Sequence, residues 1–210
     1  MPTEKVLAGI RRFQEDFAER RELYERLASE GQDPKVLFVA CSDSRVAPEL
    51  ITGAEAGDLF VARTIANVVP PYGTGAIGVG AVVEYAVLHL AVEHIVICGH
   101  TDCGGIKALD AHLDLGREPH IARWLDHARP AKTKVEAGGI PPEDRHLATV
   151  RENVLLQLEH LRSYDPVREA ERAGRIRLHG WVYHLEDGSI EAYDPASGVW
   201  GDVSSQQKAR

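Results

Sequence analysis

HIVICGHTDCGG, residues 94–105, decides how this chain folds. Its first seven residues make a nearly unbroken, β-branched apolar run of strand length, closed by a turn-forming T-D-C-G-G segment. Such runs belong to strands buried on both faces, as in parallel sheets. KVLFVACSDSR, residues 35–45, repeats the arrangement, ending in Cys41-Ser42-Asp43-Ser44-Arg45. DLFVART (58–64) reads as a third short strand.

Helical patterns separate these strands. Val79, Val82, Val83, Ala86, Val87 and Leu90 recur at helical spacing within 75–90, and Gly75, Gly78 and Gly80 suggest close backbone packing at that helix's start. Val150, Val154, Leu158 and Leu161 mark a later helix. RIRLHGWVYHL (175–185) and SIEAYD (189–194) read as a strand pair joined at Asp187-Gly188. The alternation implies an α/β fold with a mostly parallel central sheet flanked by helices. The stretch 128–143, with Pro130, Gly138, Gly139, Pro141 and Pro142, reads as a loop within a single domain spanning 1–210. At the front, Val6, Leu7, Ile10, Phe13 and Phe17 follow Thr3, a candidate N-cap, and Leu23, Tyr24 and Leu27 extend the amphipathic pattern to Gly31. This helix either docks on its own domain or forms an arm, residues 1–30, that packs on a partner subunit.

The chain has 210 residues, 44% apolar and 27% charged, as expected of one soluble globular domain. Its net charge of −8 argues against a nucleic-acid-binding face. No apolar stretch approaches the roughly 18 residues of a spanning helix, so no membrane role is expected. MPTEKVLAGIRRFQEDFAERR has neither the apolar core nor the cleavage site of a secretory signal. Three cysteines are too few and of the wrong parity for a disulfide framework, so a reducing, cytoplasmic location is expected.

The chemistry gathers at two strand ends. Ligand-binding residues in open α/β sheets lie at the carboxyl ends of strands, where Cys41 and His100 both fall. His100 and Cys103, spaced H-x-x-C before Gly104-Gly105, can turn toward one ion, and Cys41 supplies a second thiolate from the neighbouring strand. Two thiolates and one imidazole suit tetrahedral zinc and leave its fourth position for water, as in catalytic sites. Those ligands cancel the ion's charge, so Asp43 acquires a role as acceptor and orienter of the attacking oxygen. Arg45 can grip that carboxylate bidentately. Cys98, inside the apolar strand, reads as a buried thiol. Asp102 reads as structural rather than as a ligand. His94, His112, His120, His127, His146 and His160 read as solvent-facing or satisfied, and Trp124, Trp181 and Trp200 as packing.

These motifs together resemble the β-class carbonic anhydrases: C-S-D-S-R, then R-T-I-A-N at 63–67, then H-T-D-C-G-G, in that family's order. The resemblance runs from about Gln32 to Ala108, and more loosely through LHGWVYHLEDG. It implies one Zn2+ per subunit on Cys41, His100 and Cys103, an Asp43–Arg45 catalytic dyad, and reversible hydration of carbon dioxide to bicarbonate through zinc-bound hydroxide. It also implies self-association as dimers or multiples of dimers, with N-terminal helices crossing to the partner. Phe38 and Ala40 stand where the family's bicarbonate-regulated type usually has Trp and Gly, so the open, plant-like type is expected. Gln32, Phe60, Ile65, Tyr85 and Gly104 match its substrate pocket, although Ile65 replaces a usual valine and Thr64 a usual asparagine. By position Asp43 is the expected first acceptor of the released proton, with Tyr85 and His89 as candidate relays to buffer. Two other readings share the ligands: hydrolysis of carbonyl sulfide or carbon disulfide, and a zinc-stabilised binding protein without turnover.

Overall fold

The structure, a computed structural model, describes residues 2–206. In chain order the elements are α1 (Pro2–Glu30), β1 (Val36–Cys41), α2 (Pro48–Thr52), β2 (Leu59–Thr64), α3 (Ile77–Leu88), β3 (His94–His100), α4 (Gly104–Lys107), α5 (Pro119–Leu125), α6 (Arg129–Ala137), α7 (Arg145–Arg162), α8 (Asp165–Arg172), β4 (Arg177–Tyr183), β5 (Ile190–Asp194), β6 (Val199–Asp202) and α9 (Val203–Gln206). One six-stranded sheet runs in the order β2-β1-β3-β4-β5-β6. The pairs β1–β2, β1–β3 and β3–β4 are parallel, whereas β4–β5 and β5–β6 are antiparallel. The expected α/β class therefore holds, with a mixed rather than wholly parallel sheet.

From β1 the chain crosses to β2 on one side and then returns to β3 on the other. The carboxyl ends of β1 and β3 thus flank a topological switch point, where ligands of open α/β sheets bind. Residues of alternate parity cover opposite faces. Leu37, Val39, Ile95 and Ile97 pack beneath Val83, Ala86, Val154, Leu158 and Val167 from α3, α7 and α8. Phe38, Ala40, Val96 and Cys98 form a smaller cluster with Trp181 and Tyr183. Burial on both faces explains why the central strands read as continuous apolar runs.

Helix α7 sits close to the sheet because two strands carry glycine beneath it. A Cβ on Gly99 would lie 2.9 Å from Val154 Cγ2, and one on Gly180 would lie 2.9 Å from Val154 Cγ1 and 3.3 Å from Leu158 Cδ1.

Several expectations need correction. Thr3 lies inside α1 rather than capping it. The stretch 128–143 is not a loop throughout, since it contains α6. Pro130 occupies the first turn, where its missing N–H costs nothing, Ala131 and Val135 are buried one helical turn apart, and Gly138 follows the last residue. The residues read as loop formers are the helix's start and stop signals. Of the three glycines near the start of α3, only Gly80 meets a neighbour: a Cβ there would lie 3.6 Å from the Tyr164 ring, while Gly75 and Gly78 face open space. Strand β6 and helices α5 and α8 were not anticipated.

Gly180→Ala is expected to destabilise the fold by about 1–3 kcal/mol through overpacking against α7. Gly201→Ala on β6, where a Cβ meets nothing within 4 Å, serves as its control and should stay within about 0.5 kcal/mol in urea unfolding. Equal stability of the two variants would refute this account of the α7–β4 contact.

Candidate metal centre

Cys41 ends β1, His100 ends β3, and Cys103 lies on the turn just before α4. All three are buried, and their ligand atoms lie within 4.8 Å of one another. The two sulfurs stand 4.0 Å apart. A tetrahedral ion with two bonds of 2.3 Å needs sulfurs about 3.8 Å apart, so the spacing suits a shared ion.

The imidazole is set up as a ligand. His100 Nδ1 lies 2.8 Å from the Thr101 carbonyl oxygen, which can only accept, so Nδ1 carries the proton and Nε2 presents its lone pair. Nε2 is buried and has no hydrogen-bond partner among the described residues. Thr101 is itself anchored: its N–H donates to the Tyr183 carbonyl at 3.0 Å, and its hydroxyl donates to Glu186 at 2.8 Å and accepts from Leu185 N–H at 2.9 Å. An orphaned lone pair beside two buried sulfurs is costly without a cation to satisfy it.

The thiols behave accordingly. Cys41 is pushed down to about 4, chiefly by the S–H of Cys103 directed at it, with His100 and the Asp43 backbone N–H adding to the effect. Cys103 moves the opposite way, because it donates to that thiolate and is buried. A metal ion held between the two sulfurs would take the place of that proton and allow both to ionise. Cys98, by contrast, is pushed up to about 12 by burial alone, which agrees with an inert core thiol.

Asp43 stands next to this cluster, with Oδ2 3.9 Å from His100 Nε2. Arg45 grips it with Nε to Oδ1 at 3.0 Å, Nη2 to Oδ2 at 2.8 Å, and its own backbone N–H to Oδ1 at 2.9 Å. This fork holds the Asp43 carboxyl well below the usual carboxylate range. Arg63, inside the R-T-I-A-N segment, fixes the loop's backbone by donating to the Cys41 carbonyl at 3.1 Å and the Asp43 carbonyl at 2.6 Å. Sequence reading missed that role, although an arginine in an otherwise apolar strand was its signal. Asp102 reaches Arg45 Nη1 at 2.8 Å and also pairs with Lys107, which together hold it at about 2.

Phe60 and Tyr85 have ring centroids 5.8 Å apart, and Tyr85 stacks on His89 at 5.0 Å. Ile65 lies in the 65–67 turn, against which Gly105 packs so closely that a Cβ there would fall 2.9 Å from Ala66 and 3.0 Å from Ile65. Gly104 opens α4, and Gln32 lies exposed between α1 and β1. Of the histidines read as satisfied or solvent-facing, His160 Nδ1 does bond the Val69 carbonyl at 2.8 Å, but His146 departs, with its Nε2 buried and unpartnered among the described residues. Trp124 donates to the Ile65 carbonyl at 2.9 Å, and Trp181 packs edge-on against Phe38.

A buried Cys-His-Cys cluster that could hold a metal ion lies at the switch point of the α/β sheet, and comparison with known proteins identifies the family. The sequence pattern of the family described as "Carbonic anhydrase" matches residues 36–190. The carbonic anhydrase of Pseudomonas aeruginosa is 47% identical over 207 residues, covering 98% of this chain and 94% of that one. Carbonic anhydrase 1 of Escherichia coli O157:H7 is 46% identical over 197 residues, covering 92% and 89%. Among solved structures, the β-carbonic anhydrase CcaA superposes with a TM-score of 0.90 at 36% identity, covering 96% of this chain and 100% of that one. One from the ascomycete Sordaria macrospora, described as tetrameric, gives 0.79 at 29% identity, covering 91% and 96%. The chain belongs to the carbonic anhydrase family, in its β class, and is an enzyme of that kind. No helix among the described residues is long and apolar enough to cross a membrane.

Metal titration is expected to show one divalent ion bound per chain. Cys41→Ser should weaken retention by at least about 100-fold, whereas Cys98→Ser should leave it unchanged. Full metal retention in Cys41→Ser would refute the cluster as the binding site.

Proposed function

We propose that the chain catalyses reversible hydration of carbon dioxide to bicarbonate and a proton, using one zinc ion held by Cys41, His100 and Cys103. The supporting observation is the buried three-ligand cluster beside an Asp43 carboxylate that Arg45 turns toward itself. Three protein ligands leave a tetrahedral ion one further position, the arrangement of a catalytic rather than a structural zinc. Bound there, zinc supplies the nucleophile by acidifying a water molecule to a pKa of about 7.

The protein's own groups do the rest. Asp43 accepts a hydrogen bond from the attacking oxygen and aims its lone pair. Doubly gripped by Arg45, Asp43 has little affinity for a proton, so it orients rather than stores one. Phe60, Ile65 and Tyr85 form the apolar wall that receives carbon dioxide, and the Gln32 amide or the Gly104 backbone N–H donates to one substrate oxygen. The stacked Tyr85 and His89 pass the released proton toward buffer. Phe38 and Ala40 favour the open site type.

No observation favours carbonyl sulfide or carbon disulfide as substrate. A zinc-stabilised protein without turnover leaves the Arg45 fork without a role. Three free, buried cysteines fit a reducing cytoplasm. The 1–30 arm packs on a second copy of the chain. Val6, Leu7, Ile10 and Phe13 are 63%, 52%, 48% and 46% exposed along one helix, more apolar surface than a solvated helix carries without a partner.

Stopped-flow hydration assays on zinc-loaded protein should show turnover proportional to zinc content. Asp43→Ala should keep the metal and lose about 100-fold in kcat. Negligible hydration by the fully loaded parent would overturn the assignment, and an unchanged kcat in Asp43→Ala would remove that carboxylate from the mechanism. Replacing Ile10 and Phe13 together by Glu should halve the mass seen by analytical ultracentrifugation or lower it further. An unchanged mass would refute the arm.

A further inference from the structure

Arg45 does more than face Asp43. Its guanidinium uses Nε and Nη2 on that carboxylate, while Nη1 donates to Asp102 Oδ2 at 2.8 Å and Nη2 also reaches the Asp102 carbonyl oxygen at 3.3 Å. The second oxygen of Asp102 is taken by Lys107 Nζ at the end of α4. Charges of alternating sign therefore run Asp43, Arg45, Asp102, Lys107, beginning 3.9 Å from the ligand nitrogen of His100.

We infer that Asp102, backed by Lys107, is a positioning residue: it locks the Arg45 fork in the orientation that keeps Asp43 turned away from the metal position. The inference rests on the zinc reading above.

The physical need is plain. The Arg45 side chain is 48% exposed, and a surface arginine paired with a single carboxylate is weakly held and pays rotamer entropy to stay there. Anchoring both edges of the planar group removes that freedom. Asp102 is also well sited to set the geometry, because it lies between His100 and Cys103 on the turn that carries both. Its position is therefore tied to the ligands themselves, and the brace spans the gap between the β1 and β3 loops. Asp102 adopts φ +58°, a left-handed conformation that Asp and Asn tolerate better than most residues. Without the brace, Arg45 can rotate away. Asp43, already within 3.9 Å of His100 Nε2, can then turn onto the ion and occupy the position that the substrate chemistry requires.

The test uses cobalt(II)-substituted and zinc-loaded full-length chains at neutral pH. Asp102→Gly removes the side chain but suits the positive φ, Asp102→Asn keeps shape and conformation with a weaker acceptor, and Lys107→Met removes only the support behind. Azide binding is followed by the cobalt visible absorption, which reports the free metal position without turnover. Asp102→Gly is expected to bind one metal per chain with a shifted cobalt spectrum and an azide Kd raised about tenfold, as when a competing carboxylate fills the site about nine-tenths of the time. Carbon dioxide kcat/KM should fall by a similar factor. Asp102→Asn and Lys107→Met should move the same readouts in the same direction by less.

An azide Kd within twofold of the parent in Asp102→Gly, with an unchanged cobalt spectrum, would overturn the inference. Loss of metal from that variant would also overturn it, because Asp102 would then serve the ligand turn rather than Arg45. Should Asp102→Gly fail to fold, Lys107→Met decides, and parent-like azide binding in it would sink the idea. If the parent itself bound no metal or hydrated no carbon dioxide, the site assignment would fail, a result distinct from all of these.

Discussion

Because β1 pairs in parallel with β3 from Val36↔His94 to Ala40↔Cys98, the loops that leave their carboxyl ends emerge side by side. Cys41, at residue 41, and Cys103, at residue 103, are thereby brought to 4.0 Å, and His100 falls within reach of both. No local interaction could achieve this. Everything else in the site depends on that strand pairing, which is itself held by apolar burial on both faces of the sheet. The glycines at 99 and 180 matter for the same reason: they let α7 lie close over β3 and β4.

Around the ligands the polar groups are arranged in layers. Thr101 fixes the His100 tautomer and is fixed in turn by Glu186 and the Leu185 and Tyr183 backbone. Arg63 clamps two carbonyls of the Cys41–Asp43 segment, and Arg45 clamps the Asp43 carboxylate. Each anchor comes from a different element, so the geometry is determined by several independent restraints. In the proposed reaction, a rigid site of this kind would orient an attacking oxygen without reorganising as charge develops.

Strands 36–41 and 94–100 were legible because burial on both sides makes them nearly continuous apolar runs, and the edge strand 59–64 was legible from Leu59-Phe60-Val61-Ala62 before its polar end, Arg63-Thr64. Helix α6 was not, because Pro130 and Gly138 mark turns as readily as helix ends, and only the burial of Ala131 and Val135 beneath neighbouring elements decides between them. Strand β6 is a four-residue stretch, Val-Trp-Gly-Asp, that owes its conformation to pairing with β5 rather than to its own propensity. His146 shows the reverse error: a histidine in a polar stretch proves to have a buried nitrogen with no partner among the described residues.

By itself the amino-acid sequence determined the α/β class, the identity of the ligand-bearing runs and the pairing of Asp43 with Arg45, since all of these rest on local pattern or on neighbours two residues apart. Tertiary structure alone decided that the Cys41 and Cys103 sulfurs lie 4.0 Å apart, that Arg63 holds the loop's carbonyls, and that Asp102, backed by Lys107, reaches Arg45 across the gap between two strands. Those contacts join residues 20 to 62 positions apart or depend on the turn that brings them together. Their energies come from distance and desolvation, which no periodicity along the chain records.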